Sequence, residues 1–374
     1  MKKAALLGFG VVGSGVAELF ARNAAAIENG AGEPMELKYI LTRRDYPGSP
    51  FADKMVRDIG LIAGDPEVYV VAECIGGCGA AYDYVKRCLE AGKHVVTSNK
   101  ELVAEKGLEL LAIAKAKKVC FLFEASVGGG IPIIRPLTNC LSANRIDEVC
   151  GIVNGTTNYI LTQMFQCGAD FADALKEAQR LGYAEADPTA DVEGIDACRK
   201  ICILADLCFG KNVSPAWVET QGITGVTGAD VAAAEALGYG IKLLGRAKRL
   251  PEGKVSAWVA PHLVSKSNLL SNVSGVMNGV TVRGDAVGDC LFYGAGAGKF
   301  PTASAVVADM IDSVRHEKGG KFIDWAAAEE DFFVPASALP SRWYIRRADG
   351  STAITEPMLR TELEPAAAVF PVLD

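Results

Sequence analysis

The stretch Ala4-Ala5-Leu6-Leu7-Gly8-Phe9-Gly10-Val11-Val12-Gly13 joins a short apolar run to three glycines at G-x-G-x-x-G spacing. After a strand, such glycines permit a tight turn, close approach of the backbone to a pyrophosphate, and close packing of the following helix. The N-terminus of that helix adds partial positive charge for the phosphates. The stretch therefore predicts the first strand and helix of a dinucleotide-binding fold, in which Gly8, Phe9, Gly10, Val11, Val12 and Gly13 contact the cofactor.

Short apolar runs separated by helical lengths continue to about residue 130. They are Leu37–Leu41, Val68–Cys74, His94–Thr97 and Val119–Glu124. This alternation predicts a parallel sheet with crossover helices, a Rossmann-type doubly wound α/β domain. Farther along, the pattern predicts helices over Phe171–Gly182, Gly194–Phe209, Ala229–Gly245 and Thr302–Arg315, with a strand over Val255–Val259.

These patterns divide the chain into three parts. Residues 1–135, completed by about 296–320, are predicted to form the NAD(P)-binding domain, because the helix after residue 302 is expected to pack back onto it. Residues 136–295 are predicted to form a second, α+β domain. Residues 335–374 are a short C-terminal segment with too few residues for an independent core.

Composition narrows the class of partner. The 374 residues carry a net charge of −7 and no long basic block, which argues against nucleic acid and anionic membrane and favours a small molecule. The apolar N-terminus is interrupted by glycines and charges, so it predicts neither a signal peptide nor a membrane span. Eleven cysteines, scattered through apolar segments, suggest a reducing cytoplasm and no cysteine-bound metal.

The second predicted strand runs into Thr42, Arg43 and Arg44, where an NAD enzyme usually carries an acidic residue for the ribose hydroxyls. Guanidinium groups suit a 2′-phosphate, so we favour NADP, with NAD as the alternative. The competing interpretation is that the two arginines lie on a solvated loop and Asp45 serves the ribose.

Two further strand ends are candidates for ligand contact. Gly76 and Gly77 follow Glu73 and leave room for a ligand beside the backbone. After Thr97, either Ser98 or Asn99 can cap the next helix, which leaves Lys100 in the first turn. A cation there opposes the helix dipole, and this unfavourable placement indicates a role near cofactor or substrate.

The acidic segment Gly182–Lys200 is the most informative part of the sequence. Asp196 and Lys200 are four residues apart on a helix and share one face. An ordinary surface salt bridge would explain the spacing. However, the helix around the pair is almost wholly apolar, which favours a cleft over bulk water.

Seven motifs together resemble the homoserine dehydrogenase family over residues 1 to about 315. They are the glycine fingerprint, Glu73–Gly77, Thr97–Lys100, Glu124–Pro132, Gly151–Asn158, Gly182–Lys200 and Gly294–Lys299. The resemblance implies NAD(P)-dependent interconversion of L-aspartate 4-semialdehyde and L-homoserine, a step of threonine, methionine and isoleucine biosynthesis. It also implies a homodimer that associates through the second, substrate-binding domain.

The resemblance implies roles for individual residues. Lys200 is the proton donor and acceptor, Asp196 holds Lys200 or the substrate hydroxyl, and Lys100 lies between nicotinamide and substrate. Substrate-binding positions are Glu185 for the ammonium group together with Asp191, Asn154, Gly155 and Thr156. Ser98, Lys100 and Gly298 join the cofactor site, and the backbone carbonyls of Glu124, Val127, Gly129 and Ile131 bind a monovalent cation such as sodium.

The sequence departs from the family at both ends. We expect no aspartate kinase domain before the fingerprint, so the chain resembles the monofunctional members of the family. The residues after Ser337 begin like a regulatory ACT domain at Arg342–Ile345 but are too few to complete one. Residues 335–374 are therefore interpreted as a truncated remnant, which argues against feedback inhibition through a complete ACT domain. Two alternatives stay open: a dehydrogenase for another small amino or oxo acid, and a non-catalytic NADP-binding sensor.

Overall fold

A computed structural model describes residues 1–316 and 323–374 and divides into two compact units. The first unit contains Met1–Asn139 and Ala297–Ala327, and the second contains Cys140–Gly296 and Ala328–Asp374. Residues 317–320, the end of the segment expected to return to the first domain, lie outside the described residues. Within those residues, no helix combines the length and apolar character needed to cross a membrane.

A six-stranded parallel sheet forms the centre of the first unit, in the order β3-β2-β1-β4-β5-β6. Its strands are β1 (Lys2–Leu7), β2 (Met35–Leu41), β3 (Met55–Val56), β4 (Val68–Glu73), β5 (His94–Thr97) and β6 (Phe121–Leu122). Its helices are α1 (Val11–Arg22), α2 (Ala24–Ala31), α3 (Ile59–Ala63), α4 (Gly79–Glu90), α5 (Lys100–Lys117) and, late in the chain, α11 (Lys299–Arg315). This order confirms the predicted doubly wound sheet, in which ligands bind beyond the carboxyl ends of the strands.

Close helix packing explains why α11 belongs to the first unit. A Cβ atom on Gly15 of α1 would come within 2.8 Å of the Lys299 carbonyl oxygen and 3.1 Å of the Ala303 side chain. Only glycine permits this approach of the two helices. Helix α11 packs against α1 within the first unit, and it begins three residues earlier than the pattern indicated.

The second unit is built on a nine-stranded mixed sheet with helices against it. Its strands are β7 (Ile146–Ile152), β8 (Glu219–Thr220), β9 (Tyr239–Arg249), β10 (Val255–Ser265), β11 (Met277–Gly284), β12 (Gly288–Ala295), β13 (Trp343–Arg346), β14 (Thr352–Ile354) and β15 (Ala368–Leu373). Its helices are α6 (Gly155–Cys167), α7 (Phe171–Arg180), α8 (Thr189–Val192), α9 (Ile195–Phe209) and α10 (Gly228–Ala236). Strand order is β12-β11-β7-β9-β10-β15-β13-β14, with β8 beside β10.

The predicted helix over Ala229–Gly245 is wrong in its second half. Helix α10 ends at Ala236, and Gly238, with φ of +84°, turns the chain into strand β9. Residues 239–249 then pair with β10 along their whole length and with β7 at their far end. Local propensity does not reveal these long-range pairings, which decide the structure of the segment.

The C-terminal segment belongs to the sheet of the second unit. Strand β15 lies between β10 and β13, parallel to the first and antiparallel to the second. Asp230, at the start of α10, is fully buried and accepts hydrogen bonds from the Tyr344 hydroxyl at 2.9 Å and Arg346 Nε at 2.7 Å. The interpretation of residues 335–374 as a remnant of a regulatory domain stays a prediction.

Lys242 is a buried cation that should give folding stability an alkaline pH dependence. Its ammonium group donates to Asn158 Oδ1 at 3.2 Å and to the Val273 carbonyl, and burial lowers its pKa to about 8. An unfolded lysine has a pKa of about 10.4. Because the unfolded chain then holds more protons between these two values, the free energy of unfolding should rise with pH across that window. Below the window, Lys242 is protonated in both states, so its contribution does not change with pH and is at its least favourable.

Replacing Lys242 by methionine removes this dependence. The stability of the variant relative to the parent should fall by roughly 3 kcal/mol between pH 7 and pH 10, as measured by urea unfolding. The exposed Lys266→Met variant is the matched control and should show no such trend. A stability difference for Lys242→Met that stays constant with pH would mean that the buried amine is not titrating in this range.

Candidate active site

The fingerprint loop connects β1 to α1 at the carboxyl edge of the first unit's sheet. Gly8 has a φ of +95°, and a Cβ there would lie 2.9 Å from the Cys74 carbonyl oxygen. Gly10 caps α1 without a side-chain hydrogen bond, and a Cβ on Gly10 would meet nothing within 4 Å. Gly10 therefore leaves open space at the start of α1, where the first-turn N–H groups have no intrahelical acceptor, and this arrangement fits a pyrophosphate.

A third arginine, Arg57, contacts the loop after β2, and the sequence interpretation missed it. Arg43 and Arg44 are exposed, as is Asp45, but the Asp45 carboxylate forms an ion pair with Arg57. Arg57 also donates to the Thr42 carbonyl at 3.2 Å. Its position fifteen residues after Thr42 gave no sequence signal, because the link depends on β3 lying beside β2.

At the end of β5, the structure selects one of the two proposed helix caps. Asn99 Oδ1 accepts a hydrogen bond from the Leu102 amide at 3.1 Å, so Asn99 caps α5 and Lys100 is its first residue. Ser98 lies just before the cap, and its amide donates to the Glu73 carbonyl at 3.3 Å. The two residues predicted to contact the cofactor, Ser98 and Lys100, thus flank the cap at the carboxyl edge of the sheet.

Helix α9 of the second unit carries a buried charged pair. Lys200 Nζ donates to Asp196 Oδ2 at 2.6 Å and to the Val153 carbonyl at 2.7 Å. Only 8% of Lys200 and 4% of Asp196 is exposed, as the apolar helix predicted. The Val153 carbonyl was not predicted, because nothing in the sequence indicates that the end of β7 reaches α9.

Asn154 joins this pair to a second carboxylate. Its Nδ2 donates to Asp191 Oδ1 at 2.7 Å and to Asp196 Oδ2 at 2.8 Å, while its Oδ1 caps α6 by accepting from the Thr157 amide at 2.9 Å. Burial raises the pKa of Asp191. The hydrogen bond from Asn154 lowers this pKa in part, and the nearby charge of Asp196 raises it further. Two carboxylates, one buried and one partly buried, and one buried ammonium group therefore lie together at the N-terminus of α6.

The remaining predicted substrate positions divide into those beside this cluster and one outside it. Gly155 begins α6, and a Cβ there would lie 2.7 Å from the Val276 carbonyl oxygen. Thr156 Oγ1 donates to the Tyr183 carbonyl at 2.6 Å, which ties α6 to the acidic segment. Glu185 is exposed, and within the described residues its side chain makes no hydrogen bond to the cluster.

The predicted cation segment lies in the first unit and is buried. The Glu124 carboxylate accepts the amides of Ile133, Ile134 and Arg135 at 2.7 to 2.9 Å, so it organises the following loop. Gly128 and Gly129 have φ of +72° and +53°, conformations that suit glycine. Gly298, another predicted cofactor contact, lies at the start of α11 with a φ of +127°.

Two family models match the chain. The model described as homoserine dehydrogenase covers residues 132–311, and the model described as homoserine dehydrogenase, NAD binding domain, covers residues 8–124. The second match lies within the first unit and includes the fingerprint, the Arg43–Arg44 loop and the β4 and β5 strand ends.

Individual relatives agree with the family models. The homoserine dehydrogenase of Pseudomonas aeruginosa is 49% identical over 314 residues, which cover 84% of this chain and 72% of that protein. The crystal structure of a homoserine dehydrogenase from Thiobacillus denitrificans superposes with a TM-score of 0.92 at 38% identity, covering 100% of this chain and 98% of that one. A hyperthermophilic archaeal homoserine dehydrogenase in complex with NADPH has a TM-score of 0.72 at 28% identity, covering 86% and 100%. The chain therefore belongs to the homoserine dehydrogenase family, NAD(P)-dependent oxidoreductases that act on the CH–OH group of homoserine.

Proposed function

We propose that Lys200 is the proton donor when aspartate semialdehyde is reduced and the acceptor when homoserine is oxidised. The buried Lys200–Asp196 pair is the observation that carries this proposal. A protonated amine beside the aldehyde oxygen stabilises the negative charge that develops there. Asp196 and the Val153 carbonyl fix the position of Nζ. Because Asp196 also favours the protonated lysine, oxidation should require alkaline pH.

Charge balance supports an amino acid substrate. Asp191 and Asp196 bring two carboxylates against the single ammonium group of Lys200, and the raised pKa of Asp191 reflects both its burial and this crowding. A substrate ammonium group would relieve the excess negative charge. The side-chain amide of Asn154 donates to the two carboxylates and caps α6, so we assign it the role of positioning the two carboxylates. Gly155 and Thr156 bring the N-terminus of α6 to the substrate, and Glu185 is proposed as a further ligand for the ammonium group.

A nicotinamide cofactor fits the first unit. When bound, it accepts or delivers the hydride. Gly8, Gly10 and Gly13 leave the phosphates access to the amides of α1, with Phe9, Val11 and Val12 completing the loop. Ser98, Lys100 and Gly298 are proposed as contacts toward its reactive end, and the proton-transfer role of Lys100 is proposed to overlap that of Lys200.

We propose NADP as the preferred cofactor, because Asp45 is already neutralised by Arg57 while Arg43 and Arg44 remain exposed. Charge-assisted hydrogen bonds contribute roughly 1.5 to 3 kcal/mol each. Replacing both Arg43 and Arg44 by alanine should therefore raise KM for NADP by at least about tenfold and leave KM for NAD nearly unchanged.

The control for cofactor preference is Arg180→Ala, an exposed arginine of the second unit that should change neither KM. The competing interpretation assigns the ribose to Asp45. It would be favoured if Asp45→Ala raised KM for NAD while the double arginine variant behaved like the parent with both cofactors.

We also propose that a monovalent cation is held by the carbonyls of Glu124, Val127, Gly129 and Ile131. In the part of the chain that the structure describes, the carbonyl oxygens of the last three accept no hydrogen bond, although these residues are buried. Buried carbonyls without a partner are costly, so a cation there would satisfy them. Its contribution would be to fix this loop, and protein dialysed free of sodium should unfold at a lower temperature than protein resupplied with it.

A homodimer is the proposed assembly. On the edge strand β12 of the second unit, Leu291 and Tyr293 are 37% and 55% exposed. Exposed apolar side chains on a sheet edge support an interface with a second copy. Sedimentation equilibrium should give twice the chain mass of 39.4 kDa.

The test of the proposed substrate is absorbance at 340 nm with purified protein, NADP or NAD, and L-homoserine at alkaline pH. Cofactor reduction is expected with L-homoserine and in the reverse direction with aspartate semialdehyde. L-serine and short aldehydes that lack the amino acid group should react far more slowly. Equal rates with these compounds would indicate a dehydrogenase for another small substrate, and cofactor binding without turnover would indicate a sensor.

A further inference from the structure

Glu73, the last residue of β4, is a fully buried carboxylate, and its hydrogen-bond donors within residues 1–316 and 323–374 are neutral groups. Its Oε1 accepts the amides of Ile75 at 2.6 Å and Gly76 at 3.1 Å, and its Oε2 accepts the Thr97 hydroxyl. Burying a carboxylate without a cation destabilises a fold unless hydrogen bonds compensate. The three hydrogen bonds supply this compensation, and they tie the carboxylate to two separate loops.

The contacts of Glu73 close a ring that joins two loops. Thr97 Oγ1 also accepts the Asn99 amide at 2.9 Å, and Asn99 Nδ2 donates to the Gly77 carbonyl at 2.7 Å. Gly76 and Gly77 have φ of +87° and +70°, which lets the chain fold back over the carboxylate. We call the ring of Glu73, Thr97, Asn99 and the 75–77 backbone the edge ring.

The edge ring lies at the position where doubly wound sheets bind their ligands. Strand β4 is the neighbour of β1, and the Cys74 amide donates to the Leu7 carbonyl at 2.8 Å, next to the fingerprint. Because strand order reverses between β1 and β4, this is the switch point of the sheet. The ring also holds Asn99, the cap after which Lys100 begins α5. It therefore fixes the loop beside Gly8 and the start of α5 relative to each other.

We propose that Glu73 is the positioning residue of the cofactor-binding edge, and that its charge holds the 75–77 loop and the Ser98–Lys100 turn in the geometry that accepts the nicotinamide cofactor. Charged acceptors form stronger hydrogen bonds than neutral ones, so a carboxylate orders the two loops better than an amide could. The inference deepens the proposed function and rests on its cofactor assignment, but not on the identity of the substrate.

The test compares Glu73→Gln with Thr97→Val and Thr97→Ser. In Glu73→Gln, the new amide nitrogen points at Thr97 Oγ1, which already accepts the Asn99 amide, so the hydroxyl proton loses its acceptor. Cofactor affinity is measured by NADPH fluorescence titration without substrate, and loop order by hydrogen exchange of the Ile75 and Gly76 amides in the cofactor-free protein. We expect Kd for NADPH to rise about tenfold in Glu73→Gln and in Thr97→Val, with faster exchange at both amides. Thr97→Ser should restore parental values, because serine keeps the hydroxyl.

The matched control is Glu109→Gln, which neutralises an exposed, ion-paired acid on α5 of the same unit and should leave Kd and exchange unchanged. Parental Kd and parental exchange in Glu73→Gln or Thr97→Val, even with a lower unfolding temperature, would overturn the proposal and make Glu73 a packing residue. If Glu73→Gln does not fold, the two threonine variants decide alone. Failure of the parent to oxidise homoserine while NADPH still binds would count against the substrate and not against the edge ring.

Discussion

Lys200→Met should oxidise L-homoserine about 10²- to 10⁴-fold more slowly than the parent, the range that one general acid–base residue contributes. The methionine side chain fills similar space but cannot move a proton. It also leaves Asp196 buried without its cation, so some loss of stability is expected as well. The measurement is kcat and kcat/KM at 340 nm, together with NADPH affinity in the absence of substrate.

Cofactor affinity separates a chemical role of Lys200 from misfolding, because the cofactor contacts lie on the first unit and Lys200 on the second. The control is Lys248→Met, which removes another partly buried lysine of the second unit and should keep parental kcat. Near-parental turnover by Lys200→Met would move the proton-transfer role to Lys100. Unchanged NADPH affinity with lost turnover is the outcome that the proposal requires.

Arg346→Met should lower the free energy of unfolding by about 3 to 5 kcal/mol, the usual effect of removing one partner from a buried ion pair. Arg346 donates to Asp230 through Nε at 2.7 Å and Nη2 at 3.2 Å, and Asp230 is fully buried. Without the guanidinium group, the donors that remain to this carboxylate among the described residues are Tyr344 and Thr227. Urea unfolding at neutral pH measures the loss.

The control is Arg342→Met, because Arg342 pairs with Asp374 at the surface and should contribute less than about 1 kcal/mol. Acid unfolding adds a second criterion. Burial raises the pKa of Asp230, but hydrogen bonds from Arg346 and Thr227 outweigh it, so the pKa is lowered overall. The stabilisation is thus present above the unfolded value of about 3.9 and lost as pH falls through the folded value. An Arg346→Met variant as stable as the parent would show that Asp230 is adequately solvated without it.

The fold of the first unit was predictable because its signals are local. The fingerprint, the apolar runs and the helix caps each lie within a few residues, and β5 was predicted at its observed bounds. Strand β9 was not predictable, because the alanine-rich stretch before Gly238 extends a helical pattern into residues that only β7 and β10 hold as a strand. Pairing partners far away in sequence leave no local trace.

The same contrast between local signals and long-range contacts applies to the residues of the candidate sites. Asp196 and Lys200 are one helical turn apart, so their contact could be predicted from spacing alone. Val153, Arg57 and the carboxylate of Glu73 reach the two candidate sites through contacts between separate strands or between a strand and a helix. In the motif that contains Glu73, only the glycines gave a sequence signal. The importance of the carboxylate follows from its burial, which the sequence does not show.

The first unit is discontinuous in sequence, since roughly 160 residues of the second unit separate Asn139 from the segment that carries α11. At a synthesis rate of about 5 to 20 residues per second, a ribosome needs roughly 8 to 30 s to cross this insertion. During that interval the glycine face of α1, which packs against α11 in the finished protein, has no partner. We therefore expect the nascent first unit to expose apolar surface until α11 emerges, and to depend on chaperones more than a contiguous dinucleotide-binding domain of the same size would.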